Sequence, residues 1–493
     1  MSIAKPDYVF DRDEEWADLC RFVQSPGSGA ALGLVYGRRR QGKTLLLEAL
    51  CEATGGFLWQ ARQQSATQNL RDLESAIGRF AGTVPRLSTW DDAIAALLDI
   101  TSAGRTASAA QPIPVVIDEV GYVMDGDEAF ASRLQAALSP GTNRRRRSSV
   151  RLILCGSALG QMRGLVGAGA PLRGRARLEL VLRPFPYRVF ARYWGLDDHP
   201  DLAFRLHALL GGTPAYRDFV AGAGPKRGDL DSWVVRSLLS ASSPLFREGQ
   251  VSVAEDPALS DRNLYWAVLG AVAEGATTRG EITAALGRPP TSLHHALRTL
   301  VDSGWLAVDH DPLRDRGGRF VIDEPIVRFH RLVIEPAEAK LSRRSAPKAV
   351  WEDAQPVVRA RIFAPHLEHL AREWVLVDAS EETTGGRVRL CGPSSVGSGA
   401  RRMQLDVLAT TVSARGKRRV CALGEVKSGQ QPTGPAQLDR LDVACGMLPD
   451  QGSDEPVKRI LFARAGFTRA LEQIARRRSD VELVDVHRLY AGC

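Results

Sequence analysis

The spacing of apolar and polar positions along the 493-residue chain changes character three times. Between residues 31 and 158, short continuous apolar runs alternate with helix-like stretches. ALGLVYG (31–37) is followed by TLLLEALCEAT (44–54), PIPVVIDEV (112–120) and VRLILCGSA (150–158). Unbroken apolar strands alternating with helices predict a parallel sheet covered on both faces. SAGRTASAAQP (102–112) reads as a surface loop before the second of these strands. From 185 to about 240 the strand pattern disappears, and 185–257 is expected to form a helical lid.

A second pattern runs from 258 to 335. LYWAVLGAVAEG (264–275) has helical periodicity, and TRGEITAALG (278–287) is a short helix stopped by Gly. TSLHHALRTLVDSG (291–304) opens with Thr291 or Ser292 as N-cap. Its apolar positions are Leu293, Ala296, Leu297, Leu300 and Val301, which form one stripe on a helix. WLAVDHD, a DRGG turn and RFVID then predict a hairpin. Three helices and a hairpin in this order describe a winged helix-turn-helix.

PAEAKLSRRSAPKAV (336–350) reads as a polar linker. Residues 351–493 give a second α/β domain. It has a helical start, a Gly/Ser-rich loop at 391–400, and the strands QLDVLATTV and RVCALGEVK. An apolar run, RILFARAG, a helix, FTRALEQIARRRS, and VELVDVHRLY follow.

Composition narrows this picture modestly. The length calls for about two to four domains, and 44% hydrophobic with 25% charged residues is ordinary for a globular protein. No apolar run approaches the ~20 residues of a membrane span, and the N-terminus lacks the pattern of a signal peptide. The seven cysteines show neither metal-ligand nor disulfide spacing, and Cys155 and Cys421 lie inside apolar runs. A cytoplasmic protein is therefore expected. A net charge of +8 and a pI near 9.3 favour an anionic partner.

The first chemical motif is GRRRQGKT, residues 37–44. It fits the spacing G-x-x-x-x-G-K-[ST], in which loop N–H groups and a helix N-terminus cradle phosphates. Gly37, Gln41, Gly42, Lys43 and Thr44 are the expected nucleotide contacts, with Lys43 on the β- and γ-phosphates and Thr44 on Mg²⁺. VVIDE (115–119) supplies acids at a strand end: Asp118 to hold Mg²⁺ and Glu119 to polarise the attacking water. Ser157, in LILCGSA, stands where it would sense the γ-phosphate. ATP and Mg²⁺ are the expected cofactors.

These motifs recur in one order: DYVFDRDEEWADL, GRRRQGKTLLL, VVIDE, LCGSALGQM, PLRGRARLEL and GGTPAY. In this the chain resembles the archaeal-type P-loop ATPases of the wider AAA-like and signal-transduction NTPase lineage, over about residues 8–240. The resemblance implies that Arg175 approaches the γ-phosphate, from the same subunit or from a neighbour. A neighbour's arginine implies a homo-oligomer. The family usually has an aromatic before the Gly-Arg of this segment, where this chain has Arg173. A solvated or acid-paired surface arginine accounts for Arg175 equally well.

In the third helix of the winged-helix region, His294, His295 and Arg298 fall off the apolar stripe. They face outward, where a recognition helix meets the major groove, so DNA is the favoured nucleic acid. RGGR (316–319) would tip the wing near phosphates. NRRRRSSVR (143–151) reads by default as a solvated loop, with phosphate backbone or a neighbouring subunit as alternatives.

The last motif is ALGEVKSG (422–429). Only eight of the 65 basic residues are lysine, yet a lysine ends this apolar strand. A hairpin tip between Arg415 and Gly416 sets Asp406 directly opposite Glu425, about 5 Å apart between Cβ atoms. Lys427 shares the face of Glu425. Two facing carboxylates repel unless a cation holds them, and Mg²⁺ suits such a pair. The amine of Lys427 would then serve the attacking water or the phosphate. This is the D…(E)xK constellation of the PD-(D/E)XK nuclease fold, and Glu368 in the upstream helix matches its further acid. Glu338 and Lys340 form the only other ExK triplet, so the order of elements carries more weight than the triplet. A nuclease-like domain of this kind follows the winged helix in the same ATPase family.

The expected architecture is thus α/β and multidomain. Residues 1–184 form a P-loop NTPase parallel sheet, 185–257 the helical lid and 258–335 the winged helix-turn-helix. The linker covers 336–350, and 351–493 form a restriction-endonuclease-like α/β domain. The expected function is ATP hydrolysis coupled to a nucleic-acid-associated winged helix and a metal-dependent nuclease-like domain. The rival is a non-cleaving ATP-dependent switch that uses an inactive C-terminal fold for docking, and a third reading makes these modules assembly parts of a chaperone-like ATPase.

Overall fold

A computed structural model describes residues 3–25, 29–100, 112–314, 317–343, 346–412, 416–448 and 456–491. Its internal contacts define two compact units. One is Met1–Pro184 with Asp256–Ala258, and the other is Phe185–Glu255 with Leu259–Cys493.

The first unit is built on five parallel strands: β1 (Ala31–Tyr36), β2 (Phe57–Gln60), β3 (Ile113–Asp118), β4 (Val150–Gly156) and β5 (Ala176–Val181). Their spatial order is β2-β3-β4-β1-β5. β1, β3 and β4 are buried at every position, which is why their sequences are unbroken apolar runs. One face packs Leu32, Leu34, Val115, Ile117 and Leu154 against Trp59, Trp90 and Phe130. The other packs Val35, Val116, Ile153 and Cys155 against helices α1 (Asp13–Gln24) and α2 (Lys43–Thr54). The 102–112 loop lies outside the described residues up to Gln111. The arginine run read as a solvated loop is instead a short helix, Asn143–Arg147. Its Arg145 carbonyl accepts a 2.8 Å bond from the Ala30 N–H at the start of β1, so a backbone bond orders a segment whose side chains carry no such signal.

In the second unit, the helices Tyr187–Trp194, Pro200–Leu210, Leu230–Ser237 and Leu245–Ala254 occupy the stretch read as a lid. They pack with the C-terminal residues. Arg188 pairs with Asp378 at 2.7 Å, Arg464 with Asp201 at 2.5 Å, and His207 Nδ1 lies 2.9 Å from His366 Nε2. The winged-helix region comprises α3 (Arg262–Ala273), α4 (Arg279–Leu286), α5 (Pro290–Asp302) and the antiparallel pair β6 (Leu306–Asp309) and β7 (Arg319–Ile322). A Thr278–Glu281 capping box starts α4. The tip residues Asp315 and Arg316 lie outside the described residues.

The 336–350 stretch, read as a polar linker, is largely helical. It contains a turn at Glu335–Ala337, a helix at Glu338–Leu341 and the start of a helix at Pro347–Val357, with 344–345 outside the described residues. The C-terminal sheet consists of β8 (Leu390–Val396), β9 (Met403–Val412), β10 (Arg418–Lys427), β11 (Lys458–Ala463) and β12 (Val481–Asp485), in the order β12-β11-β10-β9-β8. The first three are antiparallel neighbours and the last three parallel ones. Helix α6 (Ala364–Val377) packs on β8, β9 and β10, while α7 (Ala436–Gly446) packs on β10 and β11.

Strand β8 corrects the expected Gly/Ser loop. Gly392, Pro393 and Ser394 carry little strand propensity, but β8 pairs along β9 and meets the winged-helix hairpin on its other side. A Cβ on Gly392 would overlap the His310 carbonyl oxygen, and Ser394 donates a 2.6 Å bond to Asp311. A small residue is required where two backbones approach so closely.

Candidate functional site

The phosphate loop runs from the C-terminal end of β1 into α2. Gly37 must be glycine at this point, because a Cβ would overlap the Leu182 carbonyl oxygen. Gly42 takes φ +85°, the left-handed region that glycine enters without cost. Lys43 is 5% exposed, and its ammonium donates to the carbonyls of Gly37 (2.8 Å) and Arg38 (2.9 Å). Burial pulls its pKa down, while Cys155, Glu119 and Asp118 oppose that pull. Gln41 is buried, and its carbonyl accepts from Arg12.

Three strand ends converge beside this loop. Thr44 Oγ1 donates a 2.7 Å bond to Asp118 Oδ2, and Asp118 is fully buried. The Glu119 N–H donates to Asp118 Oδ1 at 2.9 Å, and Ser157 Oγ donates to Glu119 Oε2 at 2.9 Å. Glu119 sits at φ +49°, a left-handed conformation costing a non-glycine residue about 1–2 kcal/mol. That twist turns its carboxylate from the line of β3 toward Ser157. Gly37, Gln41, Gly42, Lys43, Thr44, Asp118, Glu119 and Ser157 therefore share one corner. The donor set suits a hard cation: a hydroxyl and a buried carboxylate already in contact.

Arg175 does not share that corner. It immediately precedes β5, whose Ala176 pairs with Leu32, whereas the phosphate loop follows Tyr36, which pairs with Val181. Four to five residues of strand, about 15 Å, separate the two levels. Arg175 is half-buried at the N-terminal edge of the sheet. Within one subunit, the direction of the parallel strands sets Arg175 at the opposite end of the sheet from the phosphate loop.

Sequence reasoning does not find Arg12. It is 7% exposed, adopts φ +63°, and donates to the carbonyls of Arg183 (2.7 Å) and Gln41 (3.4 Å). It ties the N-terminal segment to the phosphate loop. Its signal is an arginine flanked by acids just before a helix, a pattern that surface arginines share.

On α5, Leu293, Ala296, Leu297 and Leu300 are buried, while His294, His295 and Arg298 are exposed. The Nδ1 of His294 lies 3.3 Å from an Arg279 guanidinium nitrogen, and Arg298 pairs with Asp302 at 3.6 Å. The root of the wing is not free. Asp309 pairs with Arg372 at 2.8 Å, and Arg418 donates to the Pro312 carbonyl at 3.1 Å. Of RGGR, Arg316 lies outside the described residues.

In the C-terminal sheet, β9 and β10 pair through a one-residue bulge between Val420 and Ala422. Nearest the turn, Val412 faces Arg418, one position away from the expected register. Beyond the bulge, Val407 faces Gly424, the expected register, and Asp406 and Glu425 are the next residues along the two strands. Val426 N–H donates to Asp406 Oδ2 at 2.9 Å, and Lys427 Nζ donates to Glu425 Oε1 at 2.7 Å. Arg440 stands 3.6 Å from Glu425 Oε2. Burial raises the pKa of Asp406, with Glu425 adding to the shift. Glu368 is pushed up to about 7, by burial first and by Asp406 second.

Glu368 therefore feels Asp406, but it is 3.8 Å from Arg372 Nη1, which also donates to the Asp406 carbonyl, while Arg372 Nη2 bonds Asp309. Among the described residues no group of three or more His, Cys, Asp or Glu side chains is arranged to hold a metal ion. The expected three-acid set of Glu368, Asp406 and Glu425 thus reduces to the facing pair. Arg372 also escapes sequence reasoning, although it lies four positions after Glu368 on the same helix face.

The IclR helix-turn-helix domain family matches residues 266–310. No curated protein matches the chain. Among solved structures, the Walker-type ATPase PABY2304 of Pyrococcus abyssi is 18% identical with a TM-score of 0.48, over 67% of this chain and 98% of that one. The Aeropyrum pernix ORC2 protein in its ADPNP–ADP complexes is 16% identical with a TM-score of 0.40, over 72% and 98%. CDC6p from Pyrobaculum aerophilum is 13% identical with a TM-score of 0.33, over 72% and 97%. All three TM-scores are below 0.5. Among the described residues no helix is long and apolar enough to cross a membrane.

Proposed function

We propose that the chain binds and hydrolyses ATP and couples this to DNA binding by the winged helix. Residues 1–184 act as the ATPase core, 185–257 as a helical connector, 258–335 as the DNA-binding module and 351–493 as a nuclease-like domain. The observation that carries the reading is the meeting of Lys43, Thr44, Asp118, Glu119 and Ser157 at the ends of three parallel strands. Lys43 supplies a buried positive charge for the phosphates. Thr44 and Asp118 would hold Mg²⁺, which supplies charge neutralisation between phosphate oxygens. Glu119, oriented by Ser157, takes the proton of the attacking water. Arg175 serves a nucleotide only if a second copy brings that nucleotide to the opposite edge of the sheet. Isothermal titration with ATP and a phosphate-release assay test this: Lys43→Ala should lose both signals, and wild-type turnover in that variant would overturn the assignment.

A second reading concerns the C-terminal pair. Asp406 and Glu425 lie on neighbouring strands beside Lys427, where burial and the nearby Glu425 disfavour ionisation of Asp406. Two carboxylates suit Mg²⁺ that keeps its remaining waters. When bound, such an ion would polarise a phosphodiester, while Lys427 holds a proton near the reacting oxygens. Incubation with Mg²⁺ or Mn²⁺ and linear, circular or single-stranded substrates tests cleavage, and the divalent-induced shift in Tm tests binding. Glu425→Gln should abolish both. A Tm shift without cleavage supports the non-cleaving switch, and neither signal in the wild type removes the metal reading.

A further inference from the structure

The hairpin of the winged helix and strand β8 enclose a cavity of about 530 Å³. Arg279, Arg314 and Arg319 line it from the winged helix, and Arg402 lines it from the C-terminal domain. Its two acids are already engaged. Asp309 is held by Arg372 at 2.8 Å, and Asp311 accepts from Ser394 at 2.6 Å and stands 3.4 Å from Arg314. Arg402 donates to the Ser395 hydroxyl, 3.0 Å away, and not to a carboxylate among the described residues. The cavity therefore presents excess positive charge at its mouth.

It is also continuous with both neighbouring sites. On one side Arg279 touches His294 of α5. On the other, Asp309 binds Arg372, which in turn donates to the Asp406 carbonyl at 3.1 Å. The close packing of Gly392 under the His310 carbonyl fixes the spacing of the two walls.

We propose that this cleft is a composite phosphate-backbone site for DNA, in which the C-terminal domain extends the footprint of the winged helix toward Asp406 and Glu425. The assignment rests on the proposed binding of DNA by the winged helix. Duplex DNA is the partner because an exposed helix of this kind fits the B-form major groove, whereas the A-form major groove of RNA is too narrow to admit it. Arg402 is then a DNA contact from outside the helix-turn-helix.

The test uses the full-length protein and fluorescence anisotropy of a labelled duplex, about three helical turns long, across a salt series. Arg402→Ala should weaken binding several-fold and lower the slope of log K against log salt by about 1, with Arg402→Lys retaining most of the slope. Arg319→Ala with Arg402→Ala should lower it by about 2. Unchanged Tm values would show that both variants fold. If Arg402→Ala binds like the wild type while Arg298→Ala is impaired, the winged helix binds DNA alone and the cleft assignment fails. If the wild type shows no salt-dependent DNA binding, the DNA reading fails first. Tighter binding of an RNA duplex of the same sequence overturns the choice of DNA.

Discussion

Thr44 and Asp118 come from strand–helix units that are not neighbours in the sheet, yet their side chains are 2.7 Å apart. β4 lies between β1 and β3, so the hydroxyl and carboxylate meet across the end of an intervening strand. Asp118→Asn keeps the size but loses the charge. It should raise the Mg²⁺ concentration for half-maximal ATP hydrolysis roughly tenfold or more, the scale of a lost charged ligand, with nucleotide affinity measured in EDTA unchanged. A Mg²⁺ requirement equal to that of the wild type would remove Asp118 from the metal site.

Glu119 accepts a hydrogen bond from Ser157. Glu119→Gln should bind ATP normally and hydrolyse it about 10²-fold more slowly or worse, the scale of a positioned general base. Ser157→Ala, which only frees the carboxylate, should lose less. Single-turnover phosphate release separates the two effects, and equal losses would deny Glu119 the role of base with Ser157 as its positioning partner.

Arg372 is 8% exposed and joins three groups: Asp309 of the winged helix, the Asp406 carbonyl and Glu368. Arg372→Ala leaves Asp309 without its cation. The second unit should lose about 3 kcal/mol, the order found when one partner of a buried pair is removed. Denaturant unfolding followed by tryptophan fluorescence would read this, since Trp374 is buried in α6. A loss below ~0.5 kcal/mol would show that the contact behaves like an exposed pair.

His207 and His366 meet 2.9 Å apart inside the second unit. Burial holds His207 down to about 3 and His366 well below its ordinary value. Unfolded histidines take up protons near pH ~6.5, and the folded pair does not. Their stabilisation is therefore present above about pH 6.5 and is lost as the pH falls toward ~3. Glu368 and Glu373, both raised to about 7, act in the opposite direction, because their protonated forms favour the fold. The histidine contribution is thus read as a difference. His207→Leu should be less stable than the wild type near pH ~8, and the gap should narrow toward pH ~5 in Tm measurements, across the range where unfolded histidine titrates. A gap that stays constant would exclude a titrating pair.

Much of both candidate sites was legible because spacing along one element fixes direction. The loop 37–44 placed Lys43 and Thr44 at a helix start, VVIDE placed Asp118 at a strand end, and the alternation in GEVK put Lys427 on the face of Glu425. The register of β9 against β10 came out right at Val407 and Gly424, next to the acids, only because the bulge after Val420 offsets a turn one residue out of place. A bulge is settled by pairing across strands, and residues near the turn carried no mark of it.

What lay beyond the sequence were relations between elements far apart in the chain. Parallel strand direction put Arg175 at the end of the sheet away from the phosphate loop. Close backbone packing against His310 helped make a strand of the glycine-rich stretch at β8. Arg372 became a junction only when β6 and β9 arrived beside α6. The sequence by itself determined which residues are chemically able to bind phosphate or repel one another, through composition and period. Tertiary structure decided which of them meet, because contact between distant segments depends on strand order, bulges and backbone approach, none of which has a local signature.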